Sequence, residues 1–174
     1  QLKIDYALAK NYIDDYFLQF PKVQLWMAKI LEEGKRVGYV ETISGRKRYI
    51  PELQSQNRFL QAFGERAAIN HPIQGTSADM IKKAMVEINK SLESSGQSQG
   101  KNKKTSRLST LATSDCQLIL QVHDELLFEC DPEKVEEIAK MIREKMEDAI
   151  KLKVPVKVDL KTGNNWGEMS TLED

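Results

Sequence analysis

The sequence has little of what holds small secreted domains or metal centres together: its 174 residues contain two cysteines and two histidines. Cys116 and Cys130 are too few for a disulfide framework, and read alone they are small apolar residues of a reduced compartment. His71 and His123, the only histidines, suggest no Cys/His metal cluster. Net charge is missing as well, since 26 Lys plus Arg balance 26 Asp plus Glu. Without a global basic field, any nucleic-acid contact has to come from a local patch. No apolar run approaches the roughly 20 residues of a membrane span, and no signal-peptide pattern is present. A soluble, intracellular chain with no membrane partner is the expectation.

What is present suits a folded chain. Apolar residues make up 40% and charged residues 30%, enough for a core in one domain or in a substantial piece of a larger one. Ile4, Ala7, Leu8, Tyr12, Ile13, Tyr16 and Phe17 recur at helical spacing, so residues 5–20 read as an amphipathic helix. Pro21 opens a second helix with Val23, Trp26, Met27, Ile30 and Leu31 on one face, and Gly38 ends it. "YVETISGRKRYIPEL" changes period and predicts a β-hairpin turning at Ser44-Gly45 and closed by Pro51. Helical spacing returns from Asn57 to Lys90, and Pro72 with Gly75 predicts a bend or a junction of two helices there.

Residues 93–114 are rich in Ser, Gly, Gln, Lys and Thr and read as a mobile loop or insertion, whose cations are free to touch a polyanion. Asp131 and Pro132 then start a helix with Val135, Ile138, Ile142, Met146 and Ala149 inward. "VPVKVDL" predicts a strand, and "KTGNNWGEM" a polar tail in which Trp166, like Trp26, acts as a packing anchor. Strand, turn, strand, helix and strand in that order make the fold class α+β, an antiparallel hairpin backed by helices.

One stretch interrupts this pattern. "LILQVHDELLFEC" sets His123, Asp124 and Glu125 between two apolar runs that read as a buried hairpin. An acidic turn on a rigid hairpin holds carboxylates in place, and their mutual repulsion is relieved when cations neutralise them. Mg²⁺ suits such a place, because it takes a few carboxylates together with water and phosphates. An ordinary polar turn accounts for the same residues. Arg66, Asn70 and Gln74, four apart, share one helix face, which by itself reads as solvated surface. Arg46, Lys47 and Arg48 form a basic cluster on the first hairpin, either a solvated turn or, through Arg46 and Arg48, a phosphate contact.

Four blocks turn these alternatives towards one family. "LQVHDELLFE" resembles the motif C hairpin of family A DNA polymerases, the DNA polymerase I family. "ERAAINHPIQGTSADMIKKAM" resembles the segment joining that family's fingers to its palm, "GYVETISGRKRYIPEL" its fingers hairpin, and "VPVKVDLKTGNNWGE" its C-terminal strand and tail. The blocks keep the family's order and cover nearly the whole chain outside 93–114.

The resemblance implies a C-terminal polymerase portion. Residues 1–65 would be the end of a helical fingers subdomain with its β-hairpin. Residues 66–174 would be a palm portion, an antiparallel sheet backed by helices, with the insertion at 93–114. Asp124 matches the aspartate that holds the catalytic Mg²⁺ ions, two in the complete enzyme. Glu125 matches an acidic position supporting the metal site, and His123 a residue near the primer terminus. Arg66 and Gln74 match minor-groove contacts, where long donors test pair geometry without reading sequence. Asn70 matches a residue that positions the template side.

Partners implied are primer-template DNA, a deoxynucleoside triphosphate, and the upstream polymerase portion that carries motif A, motif B and the thumb. Motifs A and B are not among these residues, so the chain alone is expected to be inactive. The implied complete reaction adds deoxynucleotides to a primer 3′ end by two-metal phosphoryl transfer, in replication or repair. The cytoplasm or an organelle is its expected place. A non-catalytic remnant of the palm that binds DNA or a partner is the alternative. A metal-dependent hydrolase has no nucleophile or histidine cluster behind it.

Overall fold

The computed structural model describes residues 5–96 and 115–172. It divides into two compact units, Gln1–Thr76 and Ser77–Asp174. As the sequence predicts, the fold is α+β.

In the first unit, α1 spans Tyr6–Gln19 and α2 spans Pro21–Val37, with Pro21 in the first turn where its missing N–H costs nothing. Gly38 ends α2 in the left-handed region at φ +82°, its N–H donating to the Gly34 carbonyl at 2.9 Å. The helix predicted at 5–20 forms, but its apolar stripe is not buried: Leu8, Tyr12, Ile13 and Tyr16 are all exposed, and α1 buries no residue. Periodicity alone does not say whether a face finds cover.

Strands β1 (Tyr39–Glu41) and β2 (Lys47–Tyr49) pair antiparallel as predicted, with Gly45 at φ +81° in the loop between them. Pro51 opens a short 3-10 turn, Pro51–Gln54. Val40, Ile50, Leu53 and Ala68 form the core, with Ile30 and Leu31 packed on it.

Helix α3 runs over Arg58–Gly96 without interruption, with Pro72 inside it. Of the bend or junction expected at "NHPIQG", the junction of two helices is absent. Pro72 removes one backbone donor, and one turn on the Thr76 hydroxyl donates back to the Pro72 carbonyl at 2.5 Å. Gly75 answers a need for space: a Cβ there would lie 2.6 Å from Thr42 Cγ2 and 3.0 Å from His71 Cε1. Residues 93–96, predicted as loop, extend α3, whereas 97–114 lie outside the described residues.

The second unit packs Ala84, Ile88 and Leu92 of α3 against Ile138 and Ile142 of α4 (Val135–Glu147), with Cys116 in the same core. Of the inner stripe predicted for α4, Ile138 and Ile142 are buried, Val135 and Met146 are half-buried, and Ala149 falls beyond the helix end, also half-buried. Asp131 acts one step earlier than expected, since its Oδ1 accepts from the Glu133 N–H at 3.0 Å and caps a 3-10 turn, Pro132–Lys134, ahead of α4.

Strands β3 (Cys116–Val122) and β4 (Glu125–Cys130) form the hairpin read from the sequence. It is not buried on both faces. Leu126 and Phe128 pack on the core, whereas Ile119 and Leu120 are exposed at a register shift between Leu118 and Leu120. That shift is a β-bulge at Ile119, which breaks the alternation an apolar run hides.

"VPVKVDL" forms no strand. Among the described residues no strand pairs with it, and the Val158 N–H donates to Glu147 Oε1 at 3.0 Å instead. Pairing begins just beyond it, where β5 (Lys161–Thr162) meets β6 (Ser170–Thr171). The antiparallel structure is thus three two-stranded ribbons among the described residues. Trp166, expected to anchor the tail, is 55% exposed, while Trp26 is half-buried.

Candidate active site

The β3–β4 turn has two loop residues, His123 and Asp124, closed by the Val122–Glu125 pair. Glu125 is therefore the first residue of β4 and lies outside the tip where the sequence had placed it. His123 sits at φ +53°, the left-handed region that tight hairpins usually give to glycine in the first loop position. Among the described residues no other non-glycine residue has a positive φ. That backbone strain is accepted while an imidazole is kept at the tip. Gln121 braces the turn, its Nε2 donating to the His123 carbonyl at 3.1 Å.

His123, Asp124 and Glu125 are all exposed. Beside the turn, Asp124 lines a cavity of about 180 Å³ whose walls include Ser77 and Met80 of α3, Met146 of α4, and Lys157. The α3 and α4 walls follow from the core that those helices share, and Asp124 lines a mostly apolar recess beside them. Ser77 and Lys157 escaped the sequence reading. Ser77 is a small polar residue one turn from a helical stripe, and Lys157 lay inside an alternation that reads as strand.

In the first unit, Arg66, Asn70 and Gln74 lie on α3 and all three are exposed, consistent with one shared face. Arg48 is exposed on β2. Arg46 ties the hairpin to α3, its Nη2 donating to the Gly75 carbonyl at 2.9 Å, and its N–H donates to Thr42 Oγ1 at 3.1 Å. The Lys47 ammonium between them stands 4.3 Å from the Tyr39 ring centroid and 3.6 Å from Glu41 Oε1.

The donor set for a divalent ion is small. No group of three or more His, Cys, Asp or Glu that could hold a metal occurs among the described residues. Asp124, with Glu125 next to it, fits the share one carboxylate takes in a Mg²⁺ shell that water and phosphate oxygens complete. Among the described residues no helix is long and apolar enough to cross a membrane.

Comparison with known proteins points the same way as the turn. DNA polymerase I of Thermus aquaticus is 40% identical over 166 residues, 95% of this chain, and that of Bacillus caldotenax is 40% identical over 93% of it. The chain spans only 18% of the length of either relative. The solved structure of the POL domain of Pol1 from M. smegmatis, in complex with DNA primer-template and dNTP, superposes at a TM-score of 0.76. It is 37% identical and matches 90% of this chain and 25% of that one. The sequence profile of DNA polymerase family A matches residues 1–168, so the chain belongs to DNA polymerase family A.

Proposed function

We propose that the chain is the C-terminal part of a DNA-directed DNA polymerase, and that Asp124 is its metal-holding carboxylate. The observation that carries this is the exposed Asp124 on a two-residue turn, held at a strained neighbour's expense beside a cavity, in a chain of this family. In this reading residues 1–65 end the fingers and 66–174 belong to the palm.

Asp124 would hold Mg²⁺, with water and phosphate oxygens completing the shell. A divalent ion held there would supply Lewis-acid chemistry to a primer hydroxyl and a triphosphate. Glu125, at the start of β4, adds negative potential beside that position. The His123 imidazole, fixed at the turn, binds the primer end. Arg66 and Gln74 donate from α3 to minor-groove acceptors, which every base pair presents, and Asn70 orients the template side. Arg48, with Arg46 where its remaining donors allow, contacts backbone phosphate.

One carboxylate cannot firmly hold two ions. In this reading the other metal ligands and the triphosphate-binding groups come from the rest of a longer protein, such as the Thermus aquaticus relative of which this chain spans 18%. The isolated chain accordingly does not polymerise. Its work on chromosomal or organellar DNA, in replication or repair, places it in the cytoplasm or an organelle.

The test is primer extension by the whole protein and by the 174-residue chain, with Mg²⁺ and after chelation. Templated, Mg²⁺-dependent synthesis by the whole protein alone is expected. Synthesis by the isolated chain, or none by the whole protein, counts against the proposal.

A further inference from the structure

The proposed function leaves the two cysteines without a role, yet they oppose each other. Cys116 opens β3 and Cys130 closes β4, and the two are direct cross-strand partners. Just beyond them the Asp131 N–H donates to the Asp115 carbonyl at 2.8 Å. In an antiparallel ladder that bond makes residues 115 and 131 the hydrogen-bonded pair. Cys116 and Cys130 then occupy the adjacent non-hydrogen-bonded site, where side chains come closest. Their Sγ atoms lie 2.7 Å apart, and no disulfide joins them. The α-carbon spacing of such a site, about 4.5 Å, falls inside the range a disulfide accepts without backbone movement.

We infer that Cys116 and Cys130 form a dithiol modification site that peroxides close into a cross-strand disulfide and that small thiols reopen.

The two sulfurs differ in a way that orders the chemistry. The hydrogen bond between the sulfurs holds the Cys130 thiol below its usual range and, with burial, pushes that of Cys116 up. Cys130 is also the more accessible, half-buried where Cys116 is buried. The Cys130 thiolate attacks a peroxide oxygen, the O–O bond breaks, and Cys130 becomes a sulfenic acid as hydroxide leaves and takes a proton. Cys116 then loses its proton and attacks the Cys130 sulfur, forming the S–S bond and releasing the second oxygen as water. Two thiols and one peroxide thus give one disulfide and two waters. Reopening by a thiol runs through a mixed disulfide at the accessible Cys130.

The bond would tie β3 to β4 at the end of the hairpin opposite the His123-Asp124 turn. Neither residue touches that turn, so oxidation acts on the anchoring of the strands that carry it.

The chain's own cleavage sites provide the test. Trypsin releases residues 108–134 as one peptide holding both cysteines, and cleavage after Glu125 separates them. The native whole protein is treated with hydrogen peroxide, quenched in acid and digested without reductant. The expected peptide is lighter by two hydrogens, and its halves stay joined after cleavage at Glu125 until a thiol is added. In Cys116→Ser, Cys130 should instead be trapped as sulfenic acid by dimedone. Halves that separate after peroxide treatment of the wild-type protein, with both thiols unchanged or carrying added oxygen, overturn the inference.

Discussion

The Arg46 guanidinium lies against Gly75, its Nη2 donating to the Gly75 carbonyl at 2.9 Å while the missing side chain leaves room for Thr42. A Cβ at residue 75 would stand 2.6 Å from Thr42 Cγ2, and Thr42 is buried. Gly75→Ala should therefore destabilise by about 1–3 kcal/mol, the usual cost of overpacking. Thr42→Ser removes Cγ2 but keeps the hydroxyl that accepts from Arg46, so the double variant should recover part of the loss. Denaturant melts of the four proteins form the cycle that checks it.

Thr76 joins the same region through its hydroxyl, which accepts the Ile43 N–H at 3.1 Å and donates to Pro72. Thr76→Val keeps the shape and leaves that N–H without its acceptor, for an expected loss of about 1–3 kcal/mol. Thr76→Ser should be close to wild type. A Val variant as stable as the Ser variant would mean that the hydroxyl does not hold Ile43 to α3.

His123 separates stability from binding. Its left-handed backbone costs about 1–2 kcal/mol that glycine avoids, while glycine's larger unfolded-state entropy returns about 0.4–1 kcal/mol of that gain. His123→Gly should thus melt at or slightly above the wild-type temperature yet bind primer-template DNA less tightly, as read by fluorescence anisotropy. Unchanged DNA affinity would remove His123 from the interface.

The core beneath the hairpin and the hairpin's exposed bulge predict opposite sensitivities. Ile88, 2% exposed in the core that supports it, should lose about 2–5 kcal/mol on truncation to alanine. Ile119, exposed at the bulge, should change stability by no more than about 0.5 kcal/mol. Thermal melts of both variants check the burial directly.

Much of this was legible in the residues because it depends on local chemistry. Gly38 and Gly45 mark positive φ, Pro21 marks a first turn, and the Ile138–Ile142 spacing marks an inner face. What was not legible depends on neighbours. "VPVKVDL" alternates like a strand, but a strand needs a partner at its edge and none of the described strands supplies one. Pro72 reads as a bend or a junction, but one lost backbone bond does not end a helix whose flanking turns are packed on both sides, and α3 continues through it. The α1 stripe announces a face and not its cover. At the candidate site, Asp124 stood out because a carboxylate between apolar runs is costly. Lys157, which lines the same recess, looked like any outward residue.

The central claim is that the Asp124 carboxylate holds the divalent ion that incorporation requires. Single-turnover nucleotide incorporation by the whole protein carrying Asp124→Asn tests it most directly, with a wild-type melting curve to certify the fold. A fall of at least about a hundredfold, equivalent to about 2.7 kcal/mol of transition-state stabilisation, is predicted. Incorporation at the wild-type rate by the folded variant would contradict the claim.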